Sequence, residues 1–176
     1  RGGHGCPPRS FILTKKGKSI RFPEFDVRAM GRAAAGVRGI RVTGGDKVVE
    51  AAAVAAPDTS ELLVVMENGL GKSSPITQYR LQGRGGSGVK AAQLTAKTGE
   101  IVGGCVLGKD DDADLICISK QGQTIRMKIS DIPSRSRATQ GVIVMRLVGG
   151  DKGASMSVIM LDAEVVVGAG EEGAEE

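Results

Sequence analysis

Aromatic and metal-binding side chains are scarce in this sequence. Trp is absent and aromatic residues make up 2% of 176 residues, so any core must be built from Val, Ile, Leu, Ala and Met. Phe11, Phe22, Phe25 and Tyr79 are too few and too scattered for a reader of single-stranded RNA, which stacks bases on exposed rings. His4 is the single histidine, and Cys6, Cys105 and Cys117 show no CxxC spacing, which excludes a zinc site and a paired disulfide framework. Cys105 and Cys117 each sit in an apolar run and read as buried, inert thiols. No apolar stretch approaches the ~20 residues of a membrane span, and no signal peptide is recognisable. A reducing, cytoplasmic setting with no membrane partner is expected. Nor is a catalytic set assembled: His4 lies in an unpatterned leader, and Tyr79 has no neighbouring base or metal cluster. The acidic run KDDDAD (109–114) lacks the glycine and distant glutamate of a calcium loop and reads as a solvated turn. No catalytic residue, metal or cofactor is expected in this chain.

Glycine, by contrast, is abundant, at 27 of 176 residues, and it is periodic. Gly36, Gly88 and Gly141 are separated by 52 and then 53 residues, as are Gly17, Gly69 and Gly122, and as are Arg32, Arg84 and Arg137. Three coincident columns at one period describe three copies of one supersecondary unit. The units run over about 11–57, 61–112 and 114–161, between a leader or linker (1–10) and an acidic, flexible tail (162–176) of small residues and like charges.

Each unit reads as four strands. The first has FILT, SIRF, GVRGIRV and KVVEAAAVA; the second LLVVM, ITQYRL, VKAAQLT and IVGGCVL; the third LICIS, TIRMK, GVIVMRL and ASMSVIML. The first strand of every unit is apolar on both faces, which requires a sheet sandwiched between neighbouring sheets. The expected fold is therefore all-β, with antiparallel four-stranded blades of a propeller or pinwheel. Three repeats form only a partial array, because closed propellers carry ~4–8 blades. A four-stranded solenoid is the other architecture compatible with this pattern.

The formal charge is +4, but four acids (Glu171, Glu172, Glu175, Glu176) stand in the last six residues, and the body without them carries +8, from 24 basic against 16 acidic residues. A basic body favours a polyanionic partner. Arginine also recurs in register with the repeat: Arg32, Arg84 and Arg137; Arg38 with Lys90, broken by Ile143; Arg21 with Arg126; Arg28 with Arg80; Arg41 with Arg146. Repeated on stacked units, such positions would form a cationic band for a bent phosphate backbone. Some would instead cap loops or pair with Asp26, Asp131 and Asp151. In QGRGGSG (82–88), Gly85, Gly86 and Gly88 permit positive φ and would leave amides open to an anion, with Gln82 and Arg84 reaching phosphate oxygens.

The stretches VRAMGRAAAGVRGIRV, NGLGKSSPITQYR, QGRGGSGV and SRATQGVIVMRL resemble the last three blades of the C-terminal domain of the DNA gyrase A family, over roughly Phe11 to Leu161. The resemblance implies a six-bladed pinwheel in which neighbouring blades exchange a strand and DNA wraps the basic rim. It implies a non-catalytic, DNA-wrapping role in a type II topoisomerase that introduces negative supercoils. ATP and magnesium would be used elsewhere in the holoenzyme, and the partners would be double-stranded DNA, the rest of the A subunit and the B subunit. The family's box pattern QxRGGxG matches at Gln82, Arg84, Gly85, Gly86 and Gly88, but Gly83 and Ser87 stand where basic residues are common. The acidic tail resembles family tails that compete with DNA for the rim. Candidate DNA contacts are thus Arg21, Arg32, Arg38, Gln82, Arg84, Gly85, Gly86, Gly88, Lys90, Arg126 and Arg137. Two other readings stay open: the equivalent domain of topoisomerase IV, and a propeller used as a protein-interaction scaffold.

Overall fold

The computed structural model describes residues 8–161, so His4, Cys6 and the acidic tail lie outside it. Eleven strands are described: β1 (Arg9–Thr14), β2 (Lys18–Pro23), β3 (Val48–Val54), β4 (Ser60–Met66), β5 (Leu70–Pro75), β6 (Val89–Lys90), β7 (Ile101–Gly108), β8 (Ala113–Ser119), β9 (Thr124–Lys128), β10 (Val142–Ile143) and β11 (Gly153–Met160). They form three antiparallel sheets in the orders β3-β1-β2-β6, β10-β5-β4-β7 and β11-β8-β9. The first strand begins two residues earlier than the sequence pattern suggested, because Arg9 and Ser10 pair with Pro23 and Phe22.

The expected cause of the two-sided apolar pattern, a neighbouring sheet on each face, holds for β4 alone among the described residues; in β8, Ile116 is half-buried and Ile118 exposed. Along β4, Leu62, Val64 and Met66 pack with Phe11, Leu13 and Val54 of the first sheet, while Leu63 and Val65 pack with Leu115 and Cys117 of the third. All five β4 side chains are 3% exposed or less. Alternate residues of a strand point to opposite faces, so one strand serves two cores. Within the first of these cores, Phe11 and Tyr79 meet edge to face at 5.3 Å between ring centroids. The strands β3, β7 and β11 pack one against the next and form the inner side of the stack, which puts β6 and β10 on the outer side.

Four strand assignments read from sequence need correction. In the second unit the second strand is β5, Leu70–Pro75, and Ile76–Gln78 is a short 3-10 turn; the polar LGKSS conceals a strand because its side chains are buried between sheets. The segments VKAAQLT and GVIVMRL contribute only two paired residues each, and these join the preceding unit's sheet: β6 pairs with β2, and β10 with β5. The corresponding first-unit segment, Val37–Val42, is not a strand. Its position in the repeat is that of a strand added to a preceding sheet, and among the described residues no preceding sheet is present. For the complementary reason the third sheet has three strands.

Candidate nucleic-acid interface

The connections that carry the in-register basic residues run over the outer side and interlock. Gln82 donates its amide to the Arg21 carbonyl at 2.8 Å, and Arg135 donates to Ser73 at 2.8 Å, one period later. Arg41 donates to Gly86 at 2.8 Å, matched by Gln93 to Thr139 at 3.1 Å. Each connection is thus laced to the one before it by main-chain bonds, the same bonds at both seams.

Glycine permits this approach. Gly88 and Gly141 have φ of 72° and 88°, and a methyl group on them would lie 2.3 Å from the Ser19 carbonyl oxygen and 2.4 Å from that of Gly71. Gly36, with φ of 79°, has nothing within 4 Å of its own methyl position.

One of the amides that the box was expected to leave open is spent within the fold. The Gly85 amide donates to the Gly39 carbonyl at 2.7 Å, and the Gly86 carbonyl accepts from Arg41. Gly85 has positive φ and Gly86 does not. The Gln82 side-chain nitrogen is buried. Arg84 donates from Nε to the Asp26 carbonyl at 3.1 Å and from Nη1 to the Arg38 carbonyl at 2.7 Å. Arg137 repeats this, donating from Nη1 to the Lys90 carbonyl at 2.5 Å, while its amide donates to Gln78 Oε1 at 2.7 Å. Arg32, Arg38 and Lys90 are exposed. Arg21 is 7% exposed, and Arg126 donates to Asp114 Oδ2 at 2.6 Å. Burial sets Arg21 apart from the exposed group, whereas Arg126 is itself exposed and has its charge paired with Asp114. Asp151, one of the acids considered as an arginine partner, instead accepts from the Gln121 and Lys152 amides in its turn.

Two lysines were missed. Lys18 lies directly opposite Lys90 in the β2–β6 register; directly opposed residues of an antiparallel pair project from the same face. Both are exposed, and among the described residues neither has an ion pair. Like charges so placed repel one another unless an anion lies between them. Its sequence signal was weak, since Lys18 corresponds to Leu70 in the next unit. Lys72 is the second. It occupies the position of Ile20 and Ile125, is fully buried, and donates from Nζ to the Ser136 carbonyl at 3.0 Å and the Arg137 carbonyl at 2.5 Å. Burial, with the Arg137 charge nearby, lowers its pKa to about 8. A lysine in an otherwise apolar column was the available signal.

Burial pushes the Cys117 thiol up to about 11 and the Tyr79 phenol up to about 12, which keeps both protonated at neutral pH.

A family model described as the DNA gyrase C-terminal domain, β-propeller, matches this sequence three times, over residues 11–55, 60–104 and 113–160. The chain belongs to that family. Its relatives include the DNA gyrase A subunits of Kosmotoga olearia, 42% identical over 88% of this chain, and of Staphylococcus aureus, 39% identical over 87%. This gyrase-family chain spans about a fifth of their length, 19% and 17%. Among solved structures it superposes on a DNA gyrase A C-terminal domain with a TM-score of 0.75 at 26% identity, covering 88% of this chain and 51% of that one. It also superposes on the C-terminal domain of DNA topoisomerase IV with a TM-score of 0.79 at 23% identity, covering 88% and 47%; that likeness concerns the fold. Among the described residues of the gyrase-family chain, no helix is long and apolar enough to cross a membrane.

Proposed function

We propose that this chain binds double-stranded DNA through its phosphates along the outer side of the blades, as the wrapping part of a gyrase A subunit that acts with the B subunit in the cytoplasm. The observation that carries the reading is the exposed Lys18–Lys90 pair, two like charges in register with no acidic partner among the described residues. A passing phosphate supplies the missing charge. Arg38, one period before Lys90, extends the cationic surface. Contacts of this kind fix the duplex without reading its sequence.

Titration of the full chain with a mixed-sequence 40-bp duplex across a salt series tests this. Affinity should fall steeply with salt, and Lys18→Ala with Lys90→Ala should each lower the log–log slope by about 0.9. Salt-insensitive binding, or an unchanged slope in the double variant, contradicts the assignment. A role in topoisomerase IV is favoured only by the superposition, whereas the sequence relatives are gyrases. With the whole enzyme, conversion of relaxed plasmid to negatively supercoiled plasmid distinguishes the two.

A further inference from the structure

The box arginines are half-buried beside the exposed basic residues and spend donors on main-chain oxygens. Arg84 reaches back 46 residues to the Arg38 carbonyl, and Arg137 reaches back 47 to the Lys90 carbonyl. In both cases the acceptor belongs to the preceding unit's basic position. The second Arg84 bond, to the Asp26 carbonyl, and the Arg137 amide bond to Gln78 fall on corresponding residues, since Asp26 and Gln78 are also one period apart. One contact recurring at two seams, with different side chains around it, is a property of the repeat. The planar guanidinium suits it, because several N–H groups leave one rigid fork and can hold separate carbonyls together. Arg137 is held in turn, since buried Lys72 grips its carbonyl from beneath.

We propose that Arg84 and Arg137 are positioning residues: their guanidinium groups clasp the main chain of Arg38 and Lys90, and those two residues, with Lys18, meet the DNA phosphates. The proposal rests on the DNA-binding reading and divides the labour within it. The box motif becomes an inter-blade clasp, and its charge acts through the residue one unit back.

The two roles separate experimentally. A phosphate ligand tolerates lysine, which keeps the charge, whereas a clasp needs the fork. In the full chain, Arg84→Lys and Arg137→Lys should each lower the thermal midpoint by on the order of 5 °C, weaken binding of the 40-bp duplex several-fold at every salt concentration, and speed amide exchange at residues 38–41 for Arg84 and 90–93 for Arg137. Their salt slopes should match the unsubstituted chain, and so should that of Arg84→Ala. Lys90→Ala should do the reverse, lowering the slope by about 0.9 while melting normally. Arg84→Lys that melts and binds like the unsubstituted chain overturns the proposal. A slope reduced by about 0.9 in Arg84→Ala also overturns it; should that variant not fold, the two lysine variants decide. Failure of the unsubstituted chain to bind DNA would remove the functional reading alone, since the melting comparison between Arg84→Lys and Lys90→Ala still judges the clasp.

Discussion

The connection after β2 and the connection after β5 are built from corresponding residues and end in different environments. Residues 80–94 are laid against the first sheet: Gly88 closes on Ser19, Val89 and Lys90 form β6, and Ala91 and Ala92 are buried in the core. Residues 28–42 carry the same arginine and the same glycine, and Gly36 keeps φ near that of Gly88, yet Val37 and Val42 are exposed and no strand forms. The difference lies in the neighbour. A glycine in the left-handed region can hold a turn by itself, but a strand exists only when a second strand satisfies its amides. The mirror case is β9, whose residues alternate between exposed and half-buried where β2 and β5 are almost wholly buried.

Substitution at the shared glycine gives the widest contrast. Gly88→Ala places a methyl group against the Ser19 carbonyl at a positive φ and should cost about 4 kcal/mol or more, whereas Gly36→Ala should cost about 1–2 kcal/mol from φ alone. Urea denaturation of the two variants measures the gap, and equal losses would show that seating on the sheet contributes nothing. Next comes the strand that faces two cores. Leu63→Ala should lose about 3 kcal/mol, against about 1 kcal/mol or less for Ile118→Ala on the uncovered side of β8, by the same measurement.

Lys72 gives a pH-dependent version of the comparison, since it marks the second seam only. Its folded pKa of about 8 lies below the ordinary 10.5, so between these values the unfolded chain holds the proton and the folded chain does not. The penalty for the buried charge is complete below pH 8 and fades as pH rises towards 10.5. The unsubstituted chain should therefore gain on the order of 2 kcal/mol over that interval relative to Lys72→Met, read from urea denaturation at each pH. Smallest is Arg32→Ala. With no blade before it among the described residues, Arg32 has nothing to clasp, and its loss should change stability by less than about 0.5 kcal/mol. A fall in melting temperature like that of Arg84→Lys would break the comparison.

The repeat, the number of sheets and the sandwiched β4 were legible, because each depends on residue type at fixed spacing, whereas the like pattern of β8 leaves Ile118 uncovered. Strand ownership was not legible from the unit alone. GVRGIRV, VKAAQLT and GVIVMRL alternate alike, and which of them pairs depends on the presence of a neighbouring edge. The strand LGKSSP escaped notice because a buried lysine and two buried serines mimic a loop. At the candidate interface the sequence pointed to residues 82–90 but could not show which of their side chains main-chain oxygens hold. Arg84 and Lys90 look equally able to meet a phosphate until the carbonyls around Arg84 are in place. Lys18 had no periodic signal at all, and only the pairing of β2 with β6 set it opposite Lys90.

Periodicity thus determined the repeating unit, since glycine and apolar positions answer to local geometry that any copy of the unit must satisfy. The tertiary structure alone decided which basic groups face outward and which are turned inward. A guanidinium goes to whatever oxygen atoms lie within its reach, and those atoms are brought there by a blade some fifty residues away.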